Sequence, residues 1–391
     1  MNMKSHSFVK KIFMATAYTL ILVIAVACGG GEQAQLVEIY EPEPAPAPPE
    51  VQEVAEQPED DPIDLFEGMA INPFTGMWVY EELASRRPVA FVINNAPQAL
   101  PHSGISQADI IYEVLAEGGI TRLLAVFTDA TADKIGPIRS TRDYFAILAL
   151  NHDAVLAHHG GSPTGYTAIS TLGIQNADGM SLEGRYFWRD AQRFSVPRMR
   201  EHSSYTNLLS MHEFMYGRGF RLHQNTVFMF NFFDQQTALL GNPVTQVVMP
   251  FSGLQQSIFE FDAESGLFYR YQRNDPHVDE YTGTQVAVAN IIIQQVPKNP
   301  IPGDSEGRIN VNLLGTGTGY LVTNGAYIPI VWERGSANQP TFFADISGNP
   351  LTLNPGSTWI GLLQTSATPV FNNFANQISQ VEYVQYPSQE G

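Results

Sequence analysis

Two groups of arginines could do chemistry in this chain. The first lies in Gly136-Pro-Ile-Arg-Ser-Thr-Arg-Asp143, with Arg139 and Arg142 at the start of a helix predicted over 141–150. The helix dipole disfavours cations at that end. Two guanidiniums there fit an anion held between them, phosphate or carboxylate, or ion pairs with Glu113, Glu117 or Asp143. The second group, in Phe187-Trp-Arg-Asp-Ala-Gln-Arg-Phe-Ser-Val-Pro-Arg-Met-Arg-Glu-His202, brings Arg189, Arg193, Arg198, Arg200 and His202 together. Between the groups, Asp153-Ala-Val-Leu-Ala-His158 reads as a strand. His159-Gly-Gly-Ser-Pro-Thr-Gly165 follows as a glycine-rich loop leading into a helix from about Tyr166. An anion at such a loop meets free backbone amides. The loop has no Gly-Lys-Ser/Thr, and Thr164 stands where a nucleophile elbow has its second glycine. Ser162 thus reads as a turn residue at least as well as a nucleophile, and His158 as a packed histidine.

Carboxylates and histidines add less. Asp109, Glu113 and Glu117 are spaced by four and share one face of a helix predicted over 106–117. Like charges at that spacing repel weakly, so the face is either solvated or paired with arginine or a cation. His277 and Asp279, in Asp275-Pro-His-Val-Asp279, could orient a ligand or close a turn. His212-Glu213 lacks the second histidine of a zinc helix, and no histidine spacing suggests a metal site.

The elements that must position these side chains change character along the chain. Arg87-Pro-Val-Ala-Phe-Val-Ile-Asn94 and Thr121-Arg-Leu-Leu-Ala-Val-Phe-Thr128 are short apolar runs, hence buried strands. The segment 106–117 has Ser106 as a cap, Ala108, Ile111, Tyr112 and Leu115 as an apolar stripe, and Gly118-Gly119 as a stop. A further helix is expected over 205–216, with Met211 and Met215 at core spacing. After about 243 the period becomes two. Ser257–Asp262 and Leu267–Gln272 flank a turn at Gly266, and Asn324-Gly325 joins two further strands in the strongest short hairpin signal. Asp345-Ile-Ser-Gly348 is another turn. The expected fold is an α/β N-terminal domain over 68–243, a mixed sheet with flanking helices, then a mostly antiparallel β domain over 244–391.

The first 67 residues belong to neither domain. Residues 1–28 hold Lys4, Lys10 and Lys11, an apolar run from Ile12 to Ala27 and no acid, ending at Cys28, the only cysteine. That run is short for a membrane span. It reads as a secretory signal with a lipobox cysteine, whose acyl chains, palmitate among them, would anchor the mature protein. Residues 29–67 carry twelve acids, no Lys or Arg, and the run Glu41-Pro-Glu-Pro-Ala-Pro-Ala-Pro-Pro49. Such a segment cannot bury enough surface to fold and is expected to be an extended disordered stalk. Setting both segments aside leaves 18 basic and 27 acidic side chains of the chain's 21 and 39. That balance argues against nucleic acid as a partner.

The ordered set Arg87-Pro-Val-Ala90, Gln107-Ala-Asp-Ile-Ile-Tyr-Glu113, Glu117-Gly-Gly-Ile-Thr-Arg122, Gly136-Pro-Ile-Arg-Ser140 with Arg142, and His158 with Gly160-Gly-Ser162 resembles the YerB-like family of bacterial lipoproteins. In the second half the resemblance is carried by His277 with Asp279 and by Asn354-Pro-Gly-Ser-Thr-Trp-Ile360. It implies the two-part fold above and no established reaction. The candidate ligand-binding residues are Glu113, Glu117, Arg122, Arg139, Arg142, His158, Ser162, Arg193, His202, His277 and Asp279, with no catalytic residue assigned and no cofactor expected.

The expected role is a lipid-anchored protein on the extracytoplasmic face of a bacterial membrane. It would bind an anionic cell-wall glycan or another envelope protein. The order of arginine motifs is also loosely similar to the LytR-CpsA-Psr phosphotransferases. That similarity implies an alternative in which Arg139, Arg142, Arg189 and Arg193 clamp the pyrophosphate of a lipid-linked glycan while Asp109 or Glu113 holds Mg²⁺. The alternatives turn on whether Arg122, Arg139, Arg142, His158, Arg193 and His202 converge on one pocket.

Overall fold

The structure, a computed structural model, describes residues 66–225 and 230–374. The signal segment, Cys28 and most of the stalk lie outside the described residues. In the first half the principal strands are β1 (Val89–Asn94), β2 (Ile110–Leu115), β3 (Thr121–Phe127), β4 (Val155–His158) and β5 (Asn176–Asp178). The helices are α1 (Asp143–Leu150), α2 (Pro163–Leu172) and α3 (Leu208–Gly217). The second half contributes β6 (Asn242–Pro243), β7 (Gln246–Pro250), β8 (Gln256–Asp262), β9 (Leu267–Gln272) and β10 (Ala287–Val288). It continues with β11 (Asn290–Val296), β12 (Gly315–Thr323), β13 (Ala326–Arg334), β14 (Phe342–Asp345), β15 (Thr358–Gln364) and β16 (Val370–Asn372).

Eleven strands form one twisted sheet in the order β6-β13-β12-β11-β15-β2-β3-β1-β4-β5, with β14 also on β13. The first half is mixed: β2, β3 and β1 pair antiparallel, while β4 and β5 add parallel strands. The second half is mostly antiparallel, and β15 is its exception. It runs parallel to both β11 and β2, and so joins the two halves through the middle of the sheet. The sequence change near residue 243 is thus a change in strand topology within a continuous sheet.

Strand periodicity sorts the core to both faces of this sheet. Phe91, Ile93, Ile111, Leu123 and Trp359 face α3 and a small antiparallel sheet built on β7, β8 and β9. Ala90, Val92, Tyr112, Leu124 and Ile360 face α1 and α2. Local signals fix the helix starts. Ser162 accepts from the Gly165 amide and caps α2, with Pro163 in its first turn, and Asn207 accepts from Ser210 to cap α3.

The expected helix over 106–117 is the main correction. Its residues form β2, preceded by a single 3₁₀ turn at Ile105–Gln107. β2 is covered on both faces by the layers above, so apolar side chains point both ways. The strand therefore lacks the alternation that marks a half-exposed strand, and its apolar spacing imitates a helical stripe. Ser106 caps no helix; its amide and hydroxyl both donate to Asp279, at 2.7 Å each. The Asn324-Gly325 hairpin forms as expected, with Thr323 opposite Ala326.

Trp359 on β15 is fully buried, 5.4 Å from the Phe259 ring of β8, and lies under the Arg270 guanidinium. Trp359→Ala is expected to lower stability by about 3–5 kcal/mol, read as a lower urea midpoint with unchanged transition slope.

Candidate anion-binding site

The chain folds back between β2 and β3 in a tight turn at Glu117–Gly119, where Gly118 and Gly119 take positive φ. That turn sets Glu117 beside two arginines. Arg122 Nη2 donates to Glu117 Oε1 at 2.9 Å, and Arg142 donates to both carboxylate oxygens through Nε and Nη2. Each arginine is anchored further. Arg122 Nη1 donates to Ser140 O and Arg142 Nη1 to Thr141 O, both at 2.7 Å. Burial would raise the Glu117 pKa, but Arg122 and Arg142 outweigh it and hold it down to about 2. Burial, then the neighbouring Arg142, lowers Arg122 to about 10, still cationic at neutral pH. Two cations thus share one carboxylate.

Arg139 completes this wall. Its Nη2 donates to Glu201 at 2.6 Å, and the other Glu201 oxygen lies 3.5 Å from His202 Nε2. The Asn94 amide nitrogen lies 2.7 Å from His202 Nδ1. An amide nitrogen only donates, so Nδ1 accepts and the proton of neutral His202 sits on Nε2, towards Glu201. Burial lowers the His202 pKa and favours that neutral form. Asn94, Glu117, Arg122, Arg139, Arg198 and His202 line a cavity of about 460 Å³. A second cavity of similar volume, lined in part by His159, Gly160, Tyr166, Arg189 and Arg200, shares Arg139 and Glu201 with the first.

Of the arginines and histidines whose convergence was in question, Arg122, Arg139 and His202 line the first cavity, and Arg142 stands beside it through Glu117. His158 and Arg193 do not line it. His158 is buried, with Nδ1 2.8 Å from Gly160 O and Nε2 3.2 Å from Asn176 Oδ1. Arg193 donates to the carbonyls of Gln98, Ala99 and Pro101 and ties that loop to its own turn. Ser162 is the cap of α2.

The other sequence candidates build a buried polar spine below the groove. Glu113 accepts from Thr121 Oγ1 at 2.8 Å, Ser257 Oγ at 2.6 Å and Arg270 Nη2 at 3.5 Å. The chain continues through His277 and His102. Arg270 Nη1 donates to His277 Nδ1 at 2.7 Å, so the His277 proton sits on Nε2 and is directed to His102 Nδ1 at 2.8 Å. His102 Nε2 then donates to Asn94 O at 2.7 Å. Asp279 accepts from the amides of Gly104, Ser106 and Tyr281 and from the Ser106 hydroxyl. His277 and Asp279 therefore hold the two halves of the chain together. Asp109 is likewise committed, accepting from Thr128 and Asn72, and burial raises its pKa to about 6. The three acids read as one helix face thus have three separate sets of partners.

His159 and Ser204 lie 2.9 Å apart, but they are not a nucleophile and its base. Arg189 Nη2 donates to His159 Nε2 at 2.8 Å, so Nδ1 carries the proton and donates to the buried Ser204 hydroxyl. Sequence reasoning did not single out Glu201, the only acid within the basic run 198–202. It also missed Arg270, which shares its strand face with Phe268 and Gln272.

The fold and the groove define a two-segment protein, α/β then β, with an arginine-lined cleft in its first segment. Residues 74–221 match the N-terminal domain, and 247–360 the C-terminal domain, of a family described as protein of unknown function (DUF3048), and the chain belongs to that family. It is 32% identical over 301 residues to the putative lipoprotein YerB of Bacillus subtilis (strain 168), covering 74% of this chain and 85% of that protein. A crystal structure of YerB from Bacillus subtilis matches with a TM-score of 0.67 at 30% identity, covering 76% of this chain and 98% of that one. The family membership expected from the sequence motifs is thereby shown.

Burial holds His102 down to about 3 and His277 well below its ordinary value. Both stay neutral in the fold, while in the unfolded chain they gain protons below about pH 6.5. Unfolding therefore takes up protons, and stability is expected to fall as pH drops from about 6.5, by at most about 1.4 kcal/mol per pH unit for each histidine. Urea titrations at a series of pH values test this. Replacing both histidines by glutamine should reduce the slope, leaving the share carried by His152, His159 and His212, which burial also holds below their ordinary value, and an unchanged slope would count against the spine.

Proposed function

We propose that this protein is a lipid-anchored envelope protein that holds an anionic cell-wall component, or an anionic face of a wall-synthesis partner, in the arginine groove. The observation that carries the reading is the groove's excess of cations. Arg122 and Arg142 share one carboxylate, and Arg198 has no side-chain hydrogen bond or ion pair among the described residues. In a chain of net charge −18, cations without matching acids concentrated in a cleft point to an anionic ligand. The anchor rests on Cys28 at the end of its apolar run and on the relative named a putative lipoprotein. Among the described residues no helix is long and apolar enough to cross a membrane.

Binding is favoured over phosphoryl transfer by where the carboxylates point. Asp109 and Glu113, the acids that would hold Mg²⁺, are turned to internal donors, and the groove's own Glu117 and Glu201 are tied to arginines.

Calorimetric titration of the full-length chain with purified anionic wall polymer is expected to show binding that weakens with added salt. Arg198→Ala should weaken it about tenfold or more, the scale of one lost charge-assisted hydrogen bond. Absence of binding, or binding indifferent to both salt and Arg198, would overturn the reading. The anchor is tested separately: Cys28→Ala should abolish incorporation of radioactive palmitate and release the protein from the membrane fraction, and retained label would refute it.

A further inference from the structure

The two cavities share a wall, and the short turn Pro197–His202 straddles it. Arg198 lines the first cavity and Arg200 the second, while Glu201 and Arg139 line both. Both Arg198 and Arg200 are exposed, and neither is paired with a carboxylate among the described residues. Arg200 is nevertheless held in place: its Nε donates to Phe194 O at 3.2 Å, and its guanidinium lies 5.3 Å from the Phe194 ring centroid. That leaves its outer nitrogens for a ligand. Each chamber therefore carries its own uncompensated cation, on alternate residues of one turn.

The wall between them is weak. The Arg139–Glu201 pair is an ion pair whose carboxylate side chain is 55% exposed. Such a pair is worth about 1 kcal/mol or less, so a ligand anion can take the place of Glu201 on Arg139 at small cost. The second chamber also offers an apolar surface. Tyr166 is 42% exposed, and its hydroxyl is fixed on Asp178 at 2.8 Å, which holds the ring at the chamber wall.

From this we infer that the groove takes one linear chain across both chambers: an acidic glycan or polyol phosphate bearing an anion on successive units, which displaces Glu201 from Arg139 as it binds. The inference rests on the anion-binding reading above and adds the repeat. A single anion needs one chamber and one arginine, whereas two like chambers joined through an exchangeable carboxylate match a repeating polyanion. Once the first unit is bound, the second binds intramolecularly, so affinity rises with chain length without any new kind of contact.

The test compares monomers with oligomers of the same unit in calorimetric titrations of the full-length chain. Glycerophosphoglycerol, a single phosphodiester, and oligo(glycerol phosphate) form one arm, and galacturonate and hexagalacturonate the other; the tighter arm identifies the anion as phosphodiester or carboxylate. The oligomer of that arm is expected to bind at least about tenfold tighter than its monomer. Arg198→Ala and Arg200→Ala should each remove most of that gain, bringing oligomer affinity down towards that of the monomer. Glu201→Gln should strengthen oligomer binding by removing the competing carboxylate. If monomers bind and oligomers bind no tighter, or if Arg200→Ala leaves oligomer binding unchanged, the two-chamber inference falls while the anion groove stands. If neither monomers nor oligomers bind, the anion groove itself falls. A single-stranded oligonucleotide binding as tightly as the better oligomer would overturn the assignment to a glycan or polyol.

Discussion

The buried pairing of Glu113 with Arg270 is the constraint on which the rest of the molecule depends. Both side chains are fully buried, and they come from opposite halves of the chain. Burying two charges is costly, and such a pair persists only when the remaining donors and acceptors are also satisfied. Here Ser257, Thr121, Gln272 and His277 supply partners for both Glu113 oxygens and both terminal nitrogens of Arg270, leaving only Arg270 Nε without one, and the Trp359 ring lies 4.5 Å from the Arg270 guanidinium. Losing either charge would leave the other buried and unpaired, at a cost of about 3–5 kcal/mol. The interaction therefore fixes the small sheet on the large one more specifically than apolar packing alone could.

The groove is built on top of this arrangement. Thr121 donates to Glu113 below and lines the first cavity above, and Asn94 links His102 of the spine to His202 at the groove. The β-turn glycines at 118 and 119 let the chain return closely enough for Glu117 to meet Arg122 and Arg142. The groove thus has a rigid floor and inner wall made of strands and satisfied hydrogen bonds. Its outer wall is the short turn carrying Arg198, Arg200 and Glu201, and among the described residues the only ion pair that turn makes across the groove is with Arg139. A stiff cationic floor facing an exchangeable rim suits recognition of a flexible chain, because little of the protein must be ordered on binding.

Much of this was legible in the residues, and the misreadings share a cause. Short-range signals held: Asn324-Gly325 made its hairpin, the apolar runs ending at Asn94 and beginning at Thr121 became strands, and the Gly160-Gly161 loop led into a helix. The arginine clusters were visible as local departures from an acidic composition, and Arg139 and His202 from them line the groove together with Arg122 of the neighbouring strand. What failed was anything set by distant contacts. β2 looked helical because a strand buried on both faces loses the period that identifies it. The spacing of Asp109, Glu113 and Glu117 suggested a shared face, yet each acid is claimed by residues from 5 to 157 positions away. His277 and Asp279 resembled ligand groups for the same reason. Their partners, His102 and Gly104, lie 175 residues upstream, and a single sequence gives no sign of that pairing.

The place of β15 has a consequence for the order in which the protein can be assembled. Synthesis releases the chain N-terminus first, so β2 exists as an open edge until the ribosome has passed residue 358. Throughout that interval the first half presents unpaired amides and carbonyls beside a strongly apolar strand, the condition under which sheets recruit neighbouring chains. A partly made molecule therefore cannot protect itself, and a chain truncated before β15 would be left with that exposed edge permanently. Only a chain that extends through β15 can close the sheet on β2.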